Sequence, residues 1–320
     1  MDEMRVVVLD DYQRVAEGLA DWRSLTGWTV EFEHERLPDA DAVVRRLAGA
    51  DAAVLMRERT PFPAQVLDRL PALRLLVTGG MRNAAIDLEA AAARGITVCG
   101  VPGASPATVE LAWALLLGLL RSVPAEDAAV RAGRWQSTVG TDLAGRVLGL
   151  VGLGKLGSRM VPVAQAFGMQ VLAWSPNLTA EAASAVGATR VDKAELFRRA
   201  DAVSLHLVLG ERSRGVVGRD ELALLGPTGY LVNTSRAGLV DRSALLDALH
   251  AGTLAGAALD VFDEEPLPPD DPVLRAPRTV LTPHLGYVTR DNLARWYGGA
   301  VEDLRAFAAG APVHVLPDQG

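Results

Sequence analysis

The chain is short of several residues that site chemistry often needs. Among its 320 residues there is one cysteine, Cys99. That excludes an intramolecular disulfide and a cysteine metal cluster. There is no cationic excess either: 32 Lys and Arg against 39 Asp and Glu leave a net charge of −7. Nucleic acid is therefore not expected as the main partner, and an anionic ligand must be drawn by local arginines rather than by the overall field. No apolar run reaches bilayer length; the most apolar helical stretch, Leu111 to Leu120, is too short to span one. The acidic opening MDEMRVVVLDD passes directly into a short strand and does not read as a signal peptide. Tandem repeats and long low-complexity segments are also missing. The expectation is a cytoplasmic protein that has no membrane partner.

What is present is a 49% hydrophobic content, ample for cores, at a length that suggests two domains or one large one. Apolar runs at 5–9, 52–56, 73–77 and 96–99 read as buried strands, with helical patterns around Ala40–Leu47 and Pro63–Arg69. Strands alternating with helices predict a parallel sheet, whose ligands bind beyond the carboxyl ends of the strands. Two loops there are candidates: Arg57-Glu58-Arg59, and Thr78-Gly79-Gly80-Met81-Arg82-Asn83. Residues 101–108 are rich in Pro and Gly and read as a hinge or linker. The helix that follows, Val109 to Arg121, is apolar nearly all round and is expected to be buried between domains or subunits. A second alternating series has strands at 147–151, 170–174, 202–207, 229–233, 256–261 and 279–282, with a helix at Arg242–Ala251. The last helix, about Arg290 to Ala309, is expected to return and cover the first sheet, which is too small to bury both its faces unaided.

The second series is organised around Val147 to Ser158, where an apolar run ends in Gly152-x-Gly154-x-x-Gly157. The spacing has a mechanism. Gly152 allows a sharp turn out of the strand, Gly154 lets a pyrophosphate approach the backbone, and Gly157 lets the helix pack closely. The helix N-terminus then offers unpaired N–H groups to the phosphates. Of five histidines, His284 follows a strand, in Thr282-Pro283-His284-Leu285-Gly286, at the carboxyl end of the same sheet. Arg236 also lies just past a strand end, where a guanidinium suits a carboxylate and a polarised carbonyl. Glu265 lies in an acidic run whose default reading is a solvated face. Beside His284 its charge would favour imidazolium and make the histidine a proton donor.

These pieces resemble, in order and along nearly the whole chain, the D-isomer-specific 2-hydroxyacid dehydrogenases. The matching segments are Arg57, Gly79-Gly80 leading to Ile86-Asp87, the glycine turn, Ser204-Leu205-His206-Leu207 and Asn233-Thr234-Ser235-Arg236-x-Gly238. Asp260-Val261-Phe262-x-x-Glu265-Pro266 and Pro283-His284-x-Gly286 complete the series. The resemblance implies an α/β protein of two doubly wound parallel-sheet domains, a Rossmann-type cofactor domain (103–288) inserted into a flavodoxin-like substrate domain (1–102 and 289–320). It implies Arg236, Glu265 and His284 as catalytic residues. Substrate would be held by Arg57, Gly79, Gly80, Met81, Arg236 and His284, with backbone N–H groups around Gly80 and Met81 on its carboxylate. The cofactor would meet Thr108, Gly152, Gly154, Lys155, Leu156, Gly157, Ser175, Pro176, His206, Leu207, Val208 and Ser213. It would also meet Thr234, Ser235, Arg236, Asp260, His284 and Gly286, with Asp260 on the nicotinamide amide. No metal is implied. The expected activity is NAD(P)-dependent interconversion of a small 2-oxo acid and its D-2-hydroxy acid, of the glyoxylate or hydroxypyruvate kind. The alternatives are a formate dehydrogenase-like enzyme and a dinucleotide-sensing corepressor.

The departures bear on specificity. The carboxylate loop has Met81-Arg82 where Gly-x-Gly is usual, Val208 replaces a proline, and Ser213 stands for a threonine. The acid expected for the adenosine ribose is missing, and Ser175 stands there instead. Without that acid a 2′-phosphate is not repelled, yet Pro176-Asn177-Leu178-Thr179 contains no Arg or Lys to pair with it. Use of both NADH and NADPH is expected, with a slight lean to NADP. A homodimer is expected through helix Val109–Arg121 and an arm at 124–135. Because the sequence stops soon after its last helix, no additional regulatory domain is expected.

Overall fold

The computed structural model describes residues 3–103 and 106–317. The chain divides into two compact units, Met1–Ser105 with Val288–Gly320, and Pro106–Tyr287. Positions 104 and 105 of the linker at 101–108 lie outside the described residues.

In the first unit, β1 (Met4–Val8), β2 (Trp28–Phe32), β3 (Ala52–Leu55), β4 (Leu75–Gly79) and β5 (Thr97–Val101) form a parallel sheet. Its order is β2-β1-β3-β4-β5, the flavodoxin-like arrangement. β3 and β4 are buried along their whole length and so read as unbroken apolar runs. β2 was not expected, because WTVEF is no continuous apolar run; its apolar and polar residues alternate, as in a strand with one exposed face at the sheet edge. Edge strands commonly carry charge, which blocks pairing with another chain. Here Glu31 accepts hydrogen bonds from Arg5 Nε and Arg46 Nη1, both at 2.6 Å.

The C-terminal helix, Arg290–Ala308, does return to this sheet and packs on β4 and β5. It starts where Thr289 Oγ1 accepts from Asn292 N, and it buries Leu293, Trp296, Tyr297 and Leu304. The Trp296 ring lies so close to β4 that a Cβ at Gly79 would meet it at 2.8 Å. Beyond the helix, Val315 bridges Cys99 in antiparallel fashion and Leu316 N donates to Val98 O at 2.8 Å. Burial pushes the Cys99 thiol up to about 12, so it is no nucleophile.

The second unit holds β6 (Val147–Val151), β7 (Gln170–Trp174), β8 (Thr189–Arg190), β9 (Ala202–Leu205), β10 (Tyr230–Asn233), β11 (Gly256–Leu259) and β12 (Thr279–Leu281). All pair in parallel, in the order β12-β11-β10-β9-β6-β7-β8. The order reverses between β6 and β9, which is the switch point of a Rossmann-type sheet. β8 was not expected; two exposed residues carry no apolar signal. β9 and β11 end two residues before the apolar runs do, so His206 and Asp260 stand outside the ladder.

Both faces of this sheet are covered. One carries Leu196, Phe197, Leu222, Leu245 and Leu249 from helices Lys193–Arg199, Arg219–Leu225 and Arg242–Ala251. The other carries helices Ala107–Leu120 and Gly157–Ala166. The apolar helix Ala107–Leu120 thus buries Ala112, Trp113, Leu115, Leu116, Leu119 and Leu120 in the core of its own unit. Among the described residues no single helix is long and apolar enough to cross a membrane.

At the switch point His206 Nε2 lies 2.9 Å from Ser204 Oγ, while buried Nδ1 has no partner among the described residues. Burial pushes the imidazole down to about 4. A group whose folded value is depressed below the unfolded 6.5 contributes stability above pH 6.5 and loses it as pH falls towards 4. We expect roughly 3 kcal/mol of stability to be lost across that window through His206. Urea midpoints at pH 7 and pH 4.5 should therefore converge in His206→Gln relative to the unsubstituted chain. An equal acid loss in both would show that His206 titrates without strain.

Candidate active site

The glycine turn after β6 shows why each glycine is there. Gly152 has a φ of +102°, and a Cβ on it would meet the His206 backbone at 2.7 Å. A Cβ on Gly157 would collide with the Gly152 carbonyl, so the helix can follow the strand this tightly only without a side chain. Gly154 is different: nothing lies within 4 Å of where its Cβ would be. The turn therefore leaves open space over Gly154, beside exposed Lys155 and in front of helix Gly157–Ala166, as a dinucleotide pyrophosphate requires. Leu156 occupies the N-cap position of that helix and makes no side-chain cap hydrogen bond. Two buried polar atoms at neighbouring strand ends, His206 Nδ1 and Thr234 Oγ1, have no partner among the described residues. The residues present fit a bound dinucleotide.

Several expected cofactor residues have a visible structural task instead. Ser213 Oγ donates to Val208 O at 2.7 Å and accepts from Gly210 N at 2.9 Å, closing the loop after β9. Ser235 Oγ donates to Leu205 O at 2.7 Å, and Leu207 packs on the core. Val208 is largely exposed. After β7, Ser175 is half-buried and Pro176 exposed. The loop they open is not free of cations, contrary to the sequence expectation. Arg212 Nη2 donates to Asn177 Oδ1 at 3.3 Å, and Arg190 Nε donates to Leu178 O at 3.0 Å. Both arginines are remote in sequence, so no local pattern shows them.

Beyond β10, β11 and β12 the structure brings Arg236, Glu265 and His284 into one electrostatic group. Glu265 Oε2 lies 2.6 Å from His284 Nδ1, and Glu265 Oε1 accepts from Phe262 N at 2.8 Å. Burial raises the Glu265 carboxyl, but the hydrogen bond and charge of His284, the Phe262 N–H and the Arg236 charge outweigh it and hold it below the usual range. Glu265 is thus no solvated acid. As a carboxylate it can only accept, so Nδ1 carries the hydrogen and Nε2 is the ring nitrogen left over. Arg236 Nη1 donates to its neighbour's carbonyl, Ser235 O, at 2.8 Å, and Asn233 Nδ2 holds the Arg236 carbonyl at 2.9 Å.

His284 itself has a φ of +54°, a left-handed conformation that is uncommon for a side chain of its size. Asp260 imposes it. This carboxylate is fully buried and accepts from Thr282 Oγ1 at 2.6 Å, Leu285 N at 2.7 Å and Gly286 N at 2.8 Å. Burial pushes its carboxyl up, against those three hydrogen bonds and the His284 charge. The expectation of a nicotinamide contact gave Asp260 no such task; what the structure shows is a clamp on the residues flanking His284. Thr108 Oγ1 completes it by donating to Gly286 O at 2.7 Å.

In the first unit, Arg57 and the loop after β4 come together, and Arg57 Nε also lies 3.5 Å from Glu58 Oε2. Arg57 has a φ of +57°; its Nη1 donates to Gly79 O at 3.2 Å and its guanidinium lies 5.9 Å from the Trp296 ring centroid. That guanidinium lies directly over Gly80, where a Cβ would collide with it. Asn83, which the sequence shows only as the last residue of a candidate loop, is buried and ties the two loops together. Its Nδ2 donates to Arg57 O at 2.7 Å and to Thr78 Oγ1 at 2.9 Å. The expected use of the Gly80 N–H on substrate does not fit, because it donates to Val101 O at 2.8 Å as the ladder's last bond. Met81, 43% exposed, is the next N–H along.

Comparison with known proteins agrees with this geometry. The family model for the D-isomer specific 2-hydroxyacid dehydrogenase, NAD binding domain, matches residues 113–286, more than half of the chain. The glyoxylate reductase of Korarchaeum cryptofilum is 35% identical over 286 residues, covering 87% of this chain and 86% of that protein. The D-3-phosphoglycerate dehydrogenase of Methanocaldococcus jannaschii is also 35% identical over 286 residues, but there the match takes 88% of this chain and 52% of the relative, about half its length. Among solved structures, a phosphoglycerate oxidoreductase from Vibrio cholerae superposes with a TM-score of 0.92 at 37% identity, over 96% of this chain and 100% of that one. The chain belongs to the D-isomer-specific 2-hydroxyacid dehydrogenase family, and is an oxidoreductase that interconverts 2-oxo and 2-hydroxy acids with a nicotinamide dinucleotide.

Proposed function

We propose that this chain reduces a small 2-oxo acid of the glyoxylate or hydroxypyruvate kind, or oxidises the matching D-2-hydroxy acid, with Arg236, Glu265 and His284 as its catalytic residues. The observation that carries this reading is the 2.6 Å pair of Glu265 and His284, held at the carboxyl end of the sheet that bears the glycine turn. The relatives named as glyoxylate reductases support the substrate class.

The nicotinamide, when bound, supplies or accepts the hydride. His284 Nε2 delivers the proton to the substrate carbonyl oxygen, because Nδ1 is committed to Glu265. Arg236 stabilises the negative charge that develops on that oxygen, and its fork suits a neighbouring carboxylate as well. In the first unit, Arg57 and the Met81 N–H offer donors suited to a carboxylate, with Asn83 and Gly79 fixing the arginine. Both NADH and NADPH serve, with NADPH slightly favoured, since Ser175 neither repels a 2′-phosphate nor binds ribose as an acid would. The functional molecule is a homodimer. Support comes from the exposed apolar side chains of one stretch, Val123, Val130, Trp135 and Val139, the last two 77% and 97% exposed.

A panel of 2-oxo acids assayed with each cofactor tests the reading, which fails if none is reduced. His284→Gln should cut kcat by about 10²–10⁴ while leaving dinucleotide affinity nearly unchanged; near-normal turnover would remove His284 from the mechanism. In Glu265→Gln the loss of the negative charge destabilises the protonated donor. The pH above which oxo acid reduction falls off should therefore move down, and an unmoved profile would mean that Glu265 is not its partner. Light scattering at micromolar concentration should give twice the chain mass, and Trp135→Glu should shift it towards the monomer. A monomer without substitution would count against the dimer.

A further inference from the structure

We propose that Arg212 is the residue that binds the 2′-phosphate of NADP(H) in this chain, a proposal that rests on the reading of the β6 glycine turn as the dinucleotide site. Gly152 N donates to Trp174 O, the last residue of β7, at 2.8 Å, so the loop after β7 starts beside the glycine turn. In a doubly wound sheet the residue after that second strand meets the adenosine ribose of a dinucleotide lying over the turn. Here it is Ser175, which has no charge to set against a phosphate.

The missing cation comes from elsewhere in the sheet. Arg212 belongs to the loop after β9, and β9 lies on the other side of β6 from β7. Its side chain therefore reaches from the β9 side of the glycine turn to Asn177 on the β7 side. The loop it stands on is built rather than loose, closed by the three hydrogen bonds of Ser213 Oγ to Val208, Gly210 N and Gly210 O. Among the described residues Arg212 has no ion-pair partner, and the one hydrogen bond of its guanidinium goes to the neutral, exposed Asn177 amide. A phosphate dianion would displace that amide readily, because a guanidinium offers it two parallel charge-assisted hydrogen bonds. Arg190, in β8, also reaches the loop after β7, but its Nε is engaged by Leu178 O, which makes it a brace for the backbone. Glu211 and Asp220 are the acids nearest to Arg212 in sequence, and Glu181 is the nearest to Asn177; among the described residues no hydrogen bond joins any of them to Arg212.

Calorimetric titration of the whole chain with NADPH, NADH and 2′,5′-ADP reads the proposal without any assay of turnover. Arg212→Gln keeps a partner for Asn177 and should weaken NADPH and 2′,5′-ADP about thirtyfold while changing NADH less than about threefold. Arg212→Lys, which keeps the charge and loses the fork, should fall between. Arg190→Gln should leave the ratio of NADPH to NADH affinity unchanged. Equal weakening of NADH and NADPH in Arg212→Gln would mean that the guanidinium stacks on adenine, and would overturn the proposal, as would no change in either. If the unsubstituted chain binds none of the three, the cofactor reading itself falls and takes this proposal with it, a result distinct from intact binding that ignores Arg212.

Discussion

The carboxylate of Asp260 sits out of contact with water and accepts three hydrogen bonds within one short stretch, Thr282 to Gly286. A buried carboxylate is tolerable only when so satisfied, and each donor removed would leave part of it desolvated without a partner. The arrangement therefore fixes the chain on both sides of His284 and leaves that residue its left-handed backbone. Once the backbone is set, the ring has Glu265 at Nδ1, and its other nitrogen has no hydrogen-bond partner among the described residues. The strain at His284 is offset by satisfied hydrogen bonds on either side, which is where such strain is expected to persist.

A parallel sheet puts every one of these groups on a single edge. Gly152, His206, Thr234, Asp260 and His284 all stand within a few residues of the carboxyl ends of β6, β9, β10, β11 and β12. Because neighbouring strands pair in fixed register, their ends present a row of loops about a strand spacing apart, and the fold supplies proximity without any loop having to be long. The first unit uses the same device with different residues. Arg57 follows β3 in a left-handed conformation, Gly80 follows β4, and Asn83 ties the two. Most of these groups thus stand on loops, while the strands below are largely apolar, with Thr78, Ser204 and Asn233 as buried polar residues near the strand ends.

Electrostatics divides the acids sharply. Glu265, in an acidic run that by pattern alone reads as a solvated face, is held as a carboxylate by His284 and Arg236. Asp260, five residues earlier, is pushed the other way by burial. The sequence offers no sign of this difference, since it depends on which donors the fold brings to each oxygen.

The sequence alone determined the alternation of strands and helices, because buried parallel strands must be apolar throughout. It also determined the glycine turn, because a Cβ at Gly152 or Gly157 would meet backbone. Motif order was enough to place Arg236, Glu265 and His284 at strand ends. It did not show β2 as an unbroken apolar run, because WTVEF alternates apolar and polar residues as a half-buried edge strand does, and it could not show β8, whose two residues are exposed. It could not show that the Gly80 N–H is already bonded, that Asn83 holds Arg57, or that Asp260 clamps the His284 loop. Nor could it bring Arg212 to a loop 35 residues earlier, where local composition suggested no cation. Each of those facts joins residues distant along the chain, and only the strand order and the packing of the folded units set such distances.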